Sequence, residues 1–428
     1  MRISSVTMFE QSTASMNRQQ SDFLKVSQQL ASGRRVVNPS DDPQAASRAV
    51  GVDQSIAITE QYRDSRISAR NSVAQTESIL NSVSDAVIRA KELLIQASSD
   101  TLSDVDRESV ASELKGVYET LIGQANATDG NGRYLFGGYK DNAPPFAKNA
   151  AGGVEYNGDA NSRQQQVDAS RLMPVTENGK TIFQSVPSSA SYVAKASPGN
   201  EGNVTFSGPN VNDVTHDDYG QGFTIKFNVD PGIEPDSDDS TYTVIGSEGE
   251  AITPDGETGT GPFDYTGDGQ QLSFGGISIT LKGDPADGDE ISMARPGTPE
   301  QPADLFKTLE AAIGVLENPA QMDTENPAQT DTEKAAMRNT LNSSMRELDN
   351  ALDNVLTVRA SAGARLNELD VIDAVGSNRM MNYTQTLSDL VDLDYVEAIS
   401  EYSLRQVGMQ AAQKTFVDVK GLSLFNYM

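Results

Sequence analysis

Cysteine and tryptophan are absent from the 428-residue chain, histidine occurs once, and aromatic residues make up only 6%. Without cysteine there are no disulfides, no thiolate nucleophile and no cysteine-based metal site. That absence assigns no compartment, because an extracellular protein can lack disulfides. One histidine supplies neither a two-histidine zinc site nor a Cys–His pair. His216, in VTHDDYG, has no G-x-S-x-G elbow beside it and reads as a surface loop residue rather than a triad member. The segment NGKT, Asn178 to Thr181, ends like a phosphate-binding loop, but Pro174 occupies the position of its first glycine. DYTGDGQQ, Asp264 to Gln271, lacks the spacing and closing glutamate of an EF-hand and reads as a solvated turn. No residues remain to carry an enzyme, a metal or a cofactor.

Positive charge is also scarce: 33 Lys and Arg stand against 61 Asp and Glu, for a net charge of −28. Such a surface repels nucleic-acid phosphates and anionic membranes. No run approaches the ~20 apolar residues of a membrane helix. The stretch MRISSVTMFEQSTASM has neither the apolar core nor the cleavage pattern of a secretory signal, so the chain is expected to be cytosolic or exported without a cleaved signal peptide.

What is present is helical periodicity at both ends. Phe9, Met16, Phe23 and Leu30 recur every seven residues, with Val6, Thr13, Gln20 and Ser27 as companions. One strong apolar residue per heptad is too thin a stripe to sustain a coiled coil alone. The C-terminal stretch repeats the pattern, with Leu393, Val396, Val407, Val417 and Leu424 on one stripe and Phe425 beside it. Between these weak ends lie two strong seams. Positions from Ala69 through Val73, Leu80, Val83, Val87 and Leu94 to Ala97 alternate spacings of four and three. So do those from Met337 through Leu341, Leu348, Val355, Val358 and Leu369 to Ile372. The matched period predicts that these two helices pack side by side, the second starting near Glu333. A shorter helix follows Ser103 or Asp104, either of which suits an N-cap.

From about residue 141 to 300, Gly, Pro, Asp, Ser and Thr rise and alternating runs appear: GFTIKFNV, TYTVIG and QLSFGGISITLKG. They predict an all-β region of short strands, with Arg133 to Phe136 as a further short strand. Helix resumes at Asp304. Glu317 to Thr332 is a tandem near-repeat of eight residues whose prolines make it a loop. The expected fold is α+β: a long antiparallel coiled-coil hairpin with an inserted all-β domain.

The helical pattern breaks at GRRVVNPSDDP. Gly33 suits the left-handed cap of the first helix, and Asn38-Pro39 disfavours helix across the break. Asp42 is placed to cap the next helix with Pro43 at its first position. Arg34 and Arg35 face Asp41 and Asp42 across the same stretch, so opposite charges can meet there.

The stretches RISSVTMFEQSTASM, LASGRRVVNPSDDPQAAS, GRYLFGGY and AAQKTFVDVKGLSLFNYM resemble the flagellin superfamily. Within it they resemble the hook-filament junction branch. Gly132 to Gly138 replaces the Asn-x-x-Leu-Leu-Asp-Gly-like turn of filament subunits, and SLFNYM replaces their Leu-Leu-Arg-like tail. The resemblance implies a structural subunit, not an enzyme, in the extracellular flagellum, exported by the flagellar type III route. It implies three parts. Residues 1–42 and 376–428 are terminal segments that order on assembly, 43–140 and 301–375 a helical domain, and 141–300 a β-rich outer domain. Gly33 to Pro43 then forms an interdomain joint. The implied partners are further copies of the chain, the adjoining hook-associated protein, flagellin and a cytosolic export chaperone at the C-terminal segment. The alternatives are a flagellin-like filament subunit and, from another class, an adhesin or enzyme displayed on a helical stalk.

Overall fold

The computed structural model describes residues 5–99, 101–150, 152–229, 240–298, 301–318 and 327–425. Three helices come first: α1 (Ser5–Ser32), α2 (Pro43–Ala97) and α3 (Asp104–Ala125). Next are β1 (Phe146–Lys148), β2 (Val154–Tyr156), β3 (Gln164–Asp168), β4 (Arg171–Pro174) and the short α4 (Gly179–Phe183). The β region continues with β5 (Val193–Ala196), β6 (Thr205–Val211), β7 (Phe223–Val229), β8 (Ser240–Gly246) and β9 (Ala251–Ile252). It ends with β10 (Phe263–Tyr265), β11 (Asp268–Phe274), β12 (Ile277–Lys282) and β13 (Glu290–Ala294). Three helices close the chain: α5 (Leu305–Glu317), α6 (Pro327–Val391) and α7 (Tyr395–Phe425). The fold is α+β, with long helices from both chain ends and a β region inserted between them. The chain divides into two compact units. One comprises Met1–Ile67, Gln166–Arg171 and Leu369–Met428, and the other Ser68–Gln165 and Leu172–Glu368. Among the described residues no helix is long and apolar enough to cross a membrane.

The larger unit is built on the strong seams. Leu80, Val83, Val87 and Leu94 of α2 share one apolar core with Leu341, Leu348, Val355 and Val358 of α6. Lys91 Nζ to Asp349 Oδ1 at 2.5 Å and Arg359 Nη2 to Glu77 Oε1 at 2.9 Å tie the two helices across the seam. Their numbers run in opposite directions, so the pair is antiparallel. Leu114 and Leu121 of α3 and Phe306 and Leu309 of α5 complete the core. Ser103 caps α3 through a capping box with Asp106.

Arg133 to Phe136 is not a strand. Tyr134 forms only an isolated bridge with Thr128. The segment lies between Gly132 and Gly138, both at positive φ. A side-chain oxygen of Asp129 accepts the N–H groups of Asn131 and Arg133 and holds it as a turn. The apolar residues that suggested a strand fill the helical core instead. Phe136 meets Phe183 edge-on at 5.9 Å, and Phe146 lies 5.2 Å from Phe306.

The β region holds a sheet in the order β10-β8-β7-β13-β5, with β9 also paired to β8, and a three-stranded sheet β11-β12-β6. Phe223, Phe227, Tyr242, Tyr265, Phe274, Ile279 and Met293 fill a second core. Alternation sets this packing: β8 reads buried at every second residue from Ser240 to Gly246.

The helix α6 has a second buried face, and it is polar. At about 100° per residue, Asn339, Asn342, Ser343, Asn350 and Asn354 fall on one side of it, opposite Leu341 and Leu348. Asn339 Oδ1 accepts the Phe206 N–H at 3.1 Å, and its Nδ2 donates to the Val204 carbonyl at 2.8 Å. Asn342 donates to the Phe206 carbonyl, and the Ser343 hydroxyl to the Ala194 carbonyl. Asn350 both accepts from and donates to the backbone of Ser191, and Asn354 donates to the carbonyls of Thr181 and Ile182. Val204 and Phe206 lie at the edge strand of the three-stranded sheet, and Ala194 at the edge strand of the larger one. These side chains occupy backbone groups that an unpaired strand edge would offer to another chain.

α6 begins at Pro327, earlier than Glu333, and runs unbroken to Val391, through the division expected at 375/376. The chain interrupts its helix at Asp392 to Asp394 instead.

Candidate assembly interface

The break between α1 and α2 lies beside the break between α6 and α7. The Arg35 N–H donates to the Val391 carbonyl at 2.7 Å, and the Leu393 N–H to the Gly33 carbonyl at 3.0 Å. Arg34 and Asp392 form an antiparallel bridge, and Arg35 Nη2 reaches the Leu390 carbonyl at 2.8 Å. The two linkers are therefore pinned to each other by backbone bonds. Gly33 has a φ of 68°, and a Cβ placed there would lie 2.8 Å from the Tyr395 hydroxyl. That position needs glycine both for its backbone and for the approach of Tyr395.

Asp42 Oδ1 accepts the Ala45 N–H at 3.0 Å and so caps α2, while its other oxygen pairs with Arg35 at 3.2 Å. Asp41 accepts the Asn38 N–H at 2.9 Å and pairs with Lys25 of α1 at 3.2 Å rather than with Arg34 or Arg35. Pro39 lies in that turn and Pro43 opens α2. The backbone bond from Asn38, then Lys25, holds the Asp41 carboxyl below its usual range; the bond from Ala45, then Arg35, does the same for Asp42. The matching cap at the other break is Asp394, whose Oδ1 accepts the N–H groups of Val396 and Glu397.

α1 and α7 pack antiparallel along one seam. Phe9 meets Phe416 at 5.3 Å and Phe23 meets Tyr402 at 4.9 Å. Arg405 Nη1 reaches Asp22 at 2.9 Å, and Gly408 lets Gln19 close in, a Cβ there lying 3.2 Å from Gln19 Oε1. On α1 the seam is Phe9, Ser12, Met16, Gln19, Phe23, Val26 and Leu30; only Val26 is fully buried, at 4% exposure. On α7 it is Ala398, Tyr402, Arg405, Met409, Ala412 and Phe416, of which only Ala398 is fully buried. The α1 stripe expected to assemble the protein thus faces α7 within the chain.

The α7 stripe does not. Val396, Val407 and Val417 are 79%, 63% and 64% exposed; Val396 and Val407 lie on the side of α7 opposite Tyr402 and Phe416, and Val417 on the flank next to Phe416. Ile399 and Leu404 are exposed with them. Leu393 is half-buried beside the pinned linkers. The side chains of Val6, Leu424 and Phe425 lie outside the described residues. The seam from Ala398 to Phe416 was readable from its own four-three spacing. Following the larger aliphatic residues instead selects the opposite face. The predicted coiled-coil positions Val73, Leu80, Val83, Val87, Leu94, Leu341, Leu348, Val355, Val358 and Leu369 are all buried.

Over 425 residues the chain is 33% identical to flagellar hook-associated protein 3 of Escherichia coli strain K12, covering 99% of each protein. The chain belongs to the family of flagellar hook-associated protein 3. The hook-associated protein 3 of Salmonella typhimurium strain LT2 is 32% identical over the same length. The model of the bacterial flagellin N-terminal helical region matches residues 3–141. Among solved structures, the flagellar junction protein FlgL of Legionella pneumophila superposes with a TM-score of 0.65 at 25% identity. It covers 81% of this chain and 100% of its own. FlgL of Xanthomonas campestris gives 0.62 at 29% identity, covering 79% and 99%. The phase 1 flagellin of Salmonella naestved aligns over 123 residues, 27% of the chain, at 31% identity. Hook-associated protein 3 relatives span the whole chain, whereas flagellin relatives span a part of it.

Proposed function

We propose that this member of the hook-associated protein 3 family is a non-enzymatic adaptor in the extracellular bacterial flagellum. It joins the hook, through the preceding hook-associated protein, to the first flagellin subunits. It reaches that position through the type III export route without a cleaved signal peptide, with a cytosolic chaperone at its C-terminal segment. Copies assemble through residues 1–42 and 376–428, which gain their order on assembly. Residues 43–140 and 301–375 form the next layer outward and 141–300 the outer domain.

The observation that carries this reading is the set of exposed apolar side chains Val396, Ile399, Leu404, Val407 and Val417, spread over the part of α7 that α1 leaves uncovered. Apolar side chains gathered on the uncovered part of one helix mark a surface completed by another chain. The thin seam between α1 and α7 fits ordering on assembly, since helices with little buried apolar area are marginal alone.

A strain lacking the protein provides the test. The adaptor reading expects flagellin in the medium, unpolymerised, and hooks without filaments. If the junction persists and only filament subunits are missing, the protein is a filament subunit instead.

A further inference from the structure

Cysteine and tryptophan are absent, so oxidation of this chain falls first on its methionines. Two of them lie in the seam between α1 and α7. The facing aromatic pairs Phe9–Phe416 and Phe23–Tyr402 stand the same distance apart in sequence on both helices. Met16 is midway between Phe9 and Phe23, and Met409 is midway between Tyr402 and Phe416. The antiparallel register therefore places Met16 opposite Met409 at the centre of the seam. On the adjacent turns, Arg405 with Asp22 at 2.9 Å and Gln19 beside Gly408 fix that register.

Both residues are half-buried, so they contribute to the seam and are still within reach of a small solute. The seam has little else to hold it, since only Val26 and Ala398 in it are fully buried. A thioether is apolar and adaptable and packs well on ring edges, which suits the gap between two aromatic pairs. A sulfoxide is polar, and burying its oxygen without a donor is costly. The backbone amides at that level already bond within their own helices, so the oxygen is best satisfied by water admitted between them. Other methionines are placed differently. Met173 and Met293 are fully buried in the β region, and Met381 is exposed on α6. The centre of the α2–α6 seam is held by Leu and Val, which carry no sulfur.

We infer that Met16 and Met409 form a peroxide-sensitive modification site whose oxidation opens the α1–α7 seam. The methionine sulfur attacks one oxygen of hydrogen peroxide. The S–O bond forms, the O–O bond breaks, and the other oxygen leaves as water with both protons. The sulfur gives up two electrons and the peroxide takes them. Reductases specific for methionine sulfoxide reverse the change. Oxidation separates α1 from α7 and leaves the α2–α6 core intact. Poor assembly of oxidised copies would follow from the adaptor reading, whereas the opening of the seam does not depend on it.

Hydrogen peroxide treatment of the full, unassembled chain tests this, with mass spectrometry of its peptides reading both added oxygen and rapid hydrogen exchange. Met16, Met409 and Met381 should gain oxygen, while Met173 and Met293 stay reduced. Exchange across the centres of α1 and α7 should then quicken by about tenfold, with residues 80–94 of α2 unchanged, and methionine sulfoxide reductase should restore the slower rate. Met16→Leu with Met409→Leu keeps the volume and removes the sulfur. That variant should melt as the wild type does and keep its slow exchange in peroxide, whereas Met381→Leu should give no protection. Oxygen on both residues with unchanged exchange overturns the proposal. So does a failure of both to gain oxygen while Met381 does, a lack of protection in α1 and α7 of the reduced chain, or loosening of the double leucine variant by peroxide.

Discussion

The amide face of α6 permits a quantitative test through Asn339→Leu. Leucine is close to asparagine in size and is a better helix former, so neither a large cavity nor helix propensity opposes the change. What is lost is a pair of bonds: the Phe206 N–H loses its acceptor at 3.1 Å and the Val204 carbonyl its donor at 2.8 Å. Asn339 is 3% exposed, so water has little access to either group. Each buried backbone group left unsatisfied costs about 1–3 kcal/mol, for a total of about 2–6 kcal/mol. Burying the leucine side chain offsets about 1.5–3 kcal/mol of that. The central expectation is a net loss of about 2 kcal/mol, or a fall of several degrees in the melting transition of a unit this size. Amide exchange at Phe206 should rise in proportion. Thr357→Ala, on an exposed position of the same helix, should change stability by no more than about 0.5 kcal/mol. If Asn339→Leu matches the wild type in melting and leaves the Phe206 amide protected, the amides of α6 do not hold the sheet edge.

Three further outcomes follow. Leu404→Glu with Val407→Glu places charge on the exposed side of α7, so the monomer's melting should stay within about 1 kcal/mol of wild type. In cells the variant should release unpolymerised flagellin; normal filaments would remove that face from the assembly surface. Gly33→Ala forces a Cβ residue to a φ of 68° and into the Tyr395 hydroxyl; it should cost about 1–2 kcal/mol locally and deprotect the Leu393 amide, and unchanged exchange there would refute the pinning. Asp41 and Asp42 titrate below the ordinary 3.8. Their contribution is complete above that value and is lost as pH falls beneath it through the depressed folded values. Amide protection at Asn38 and Ala45 should therefore hold at about pH 6 and fade near pH 2. Protection that is flat across this range would refute the caps.

Much of this was legible in the residues for identifiable reasons. Gly33, Asn38-Pro39, Asp42 and Pro43 each act through local backbone geometry, so their roles at the first break could be read from identity and order alone. The strong seams were equally plain, because Leu and Val at four-three spacing have few other places to go. The second break was placed less sharply, with the last helical stretch read from Asp394 but no joint assigned there, because no glycine or proline marks it. Its signal is Asp394 three residues before Glu397, the acidic form of a capping box, and the helix ends where that cap begins rather than near residue 375. The α1 seam was read through Val6, Thr13, Gln20 and Ser27, whereas Gln20 is exposed beside a half-buried Gln19 and the fully buried companion is Val26 rather than Ser27. With one strong residue per heptad, the pattern does not distinguish three from four.

The amide face of α6 was invisible for a deeper reason. Binary patterning takes Asn and Ser on one side of a helix as a solvated face, and here that face is buried at Asn339, Ser343, Asn350 and Asn354 and half-buried at Asn342. Its partners are backbone groups of strands more than a hundred residues away in sequence, which carry no side-chain signature. This also explains how the β region can be attached firmly without a matching apolar stripe on the helix. Hydrogen bonds to carbonyls and N–H groups depend on where the strand backbone runs, not on which side chains it carries. The helix therefore constrains the path of edge strands β5 and β6 while leaving their outward residues free to differ.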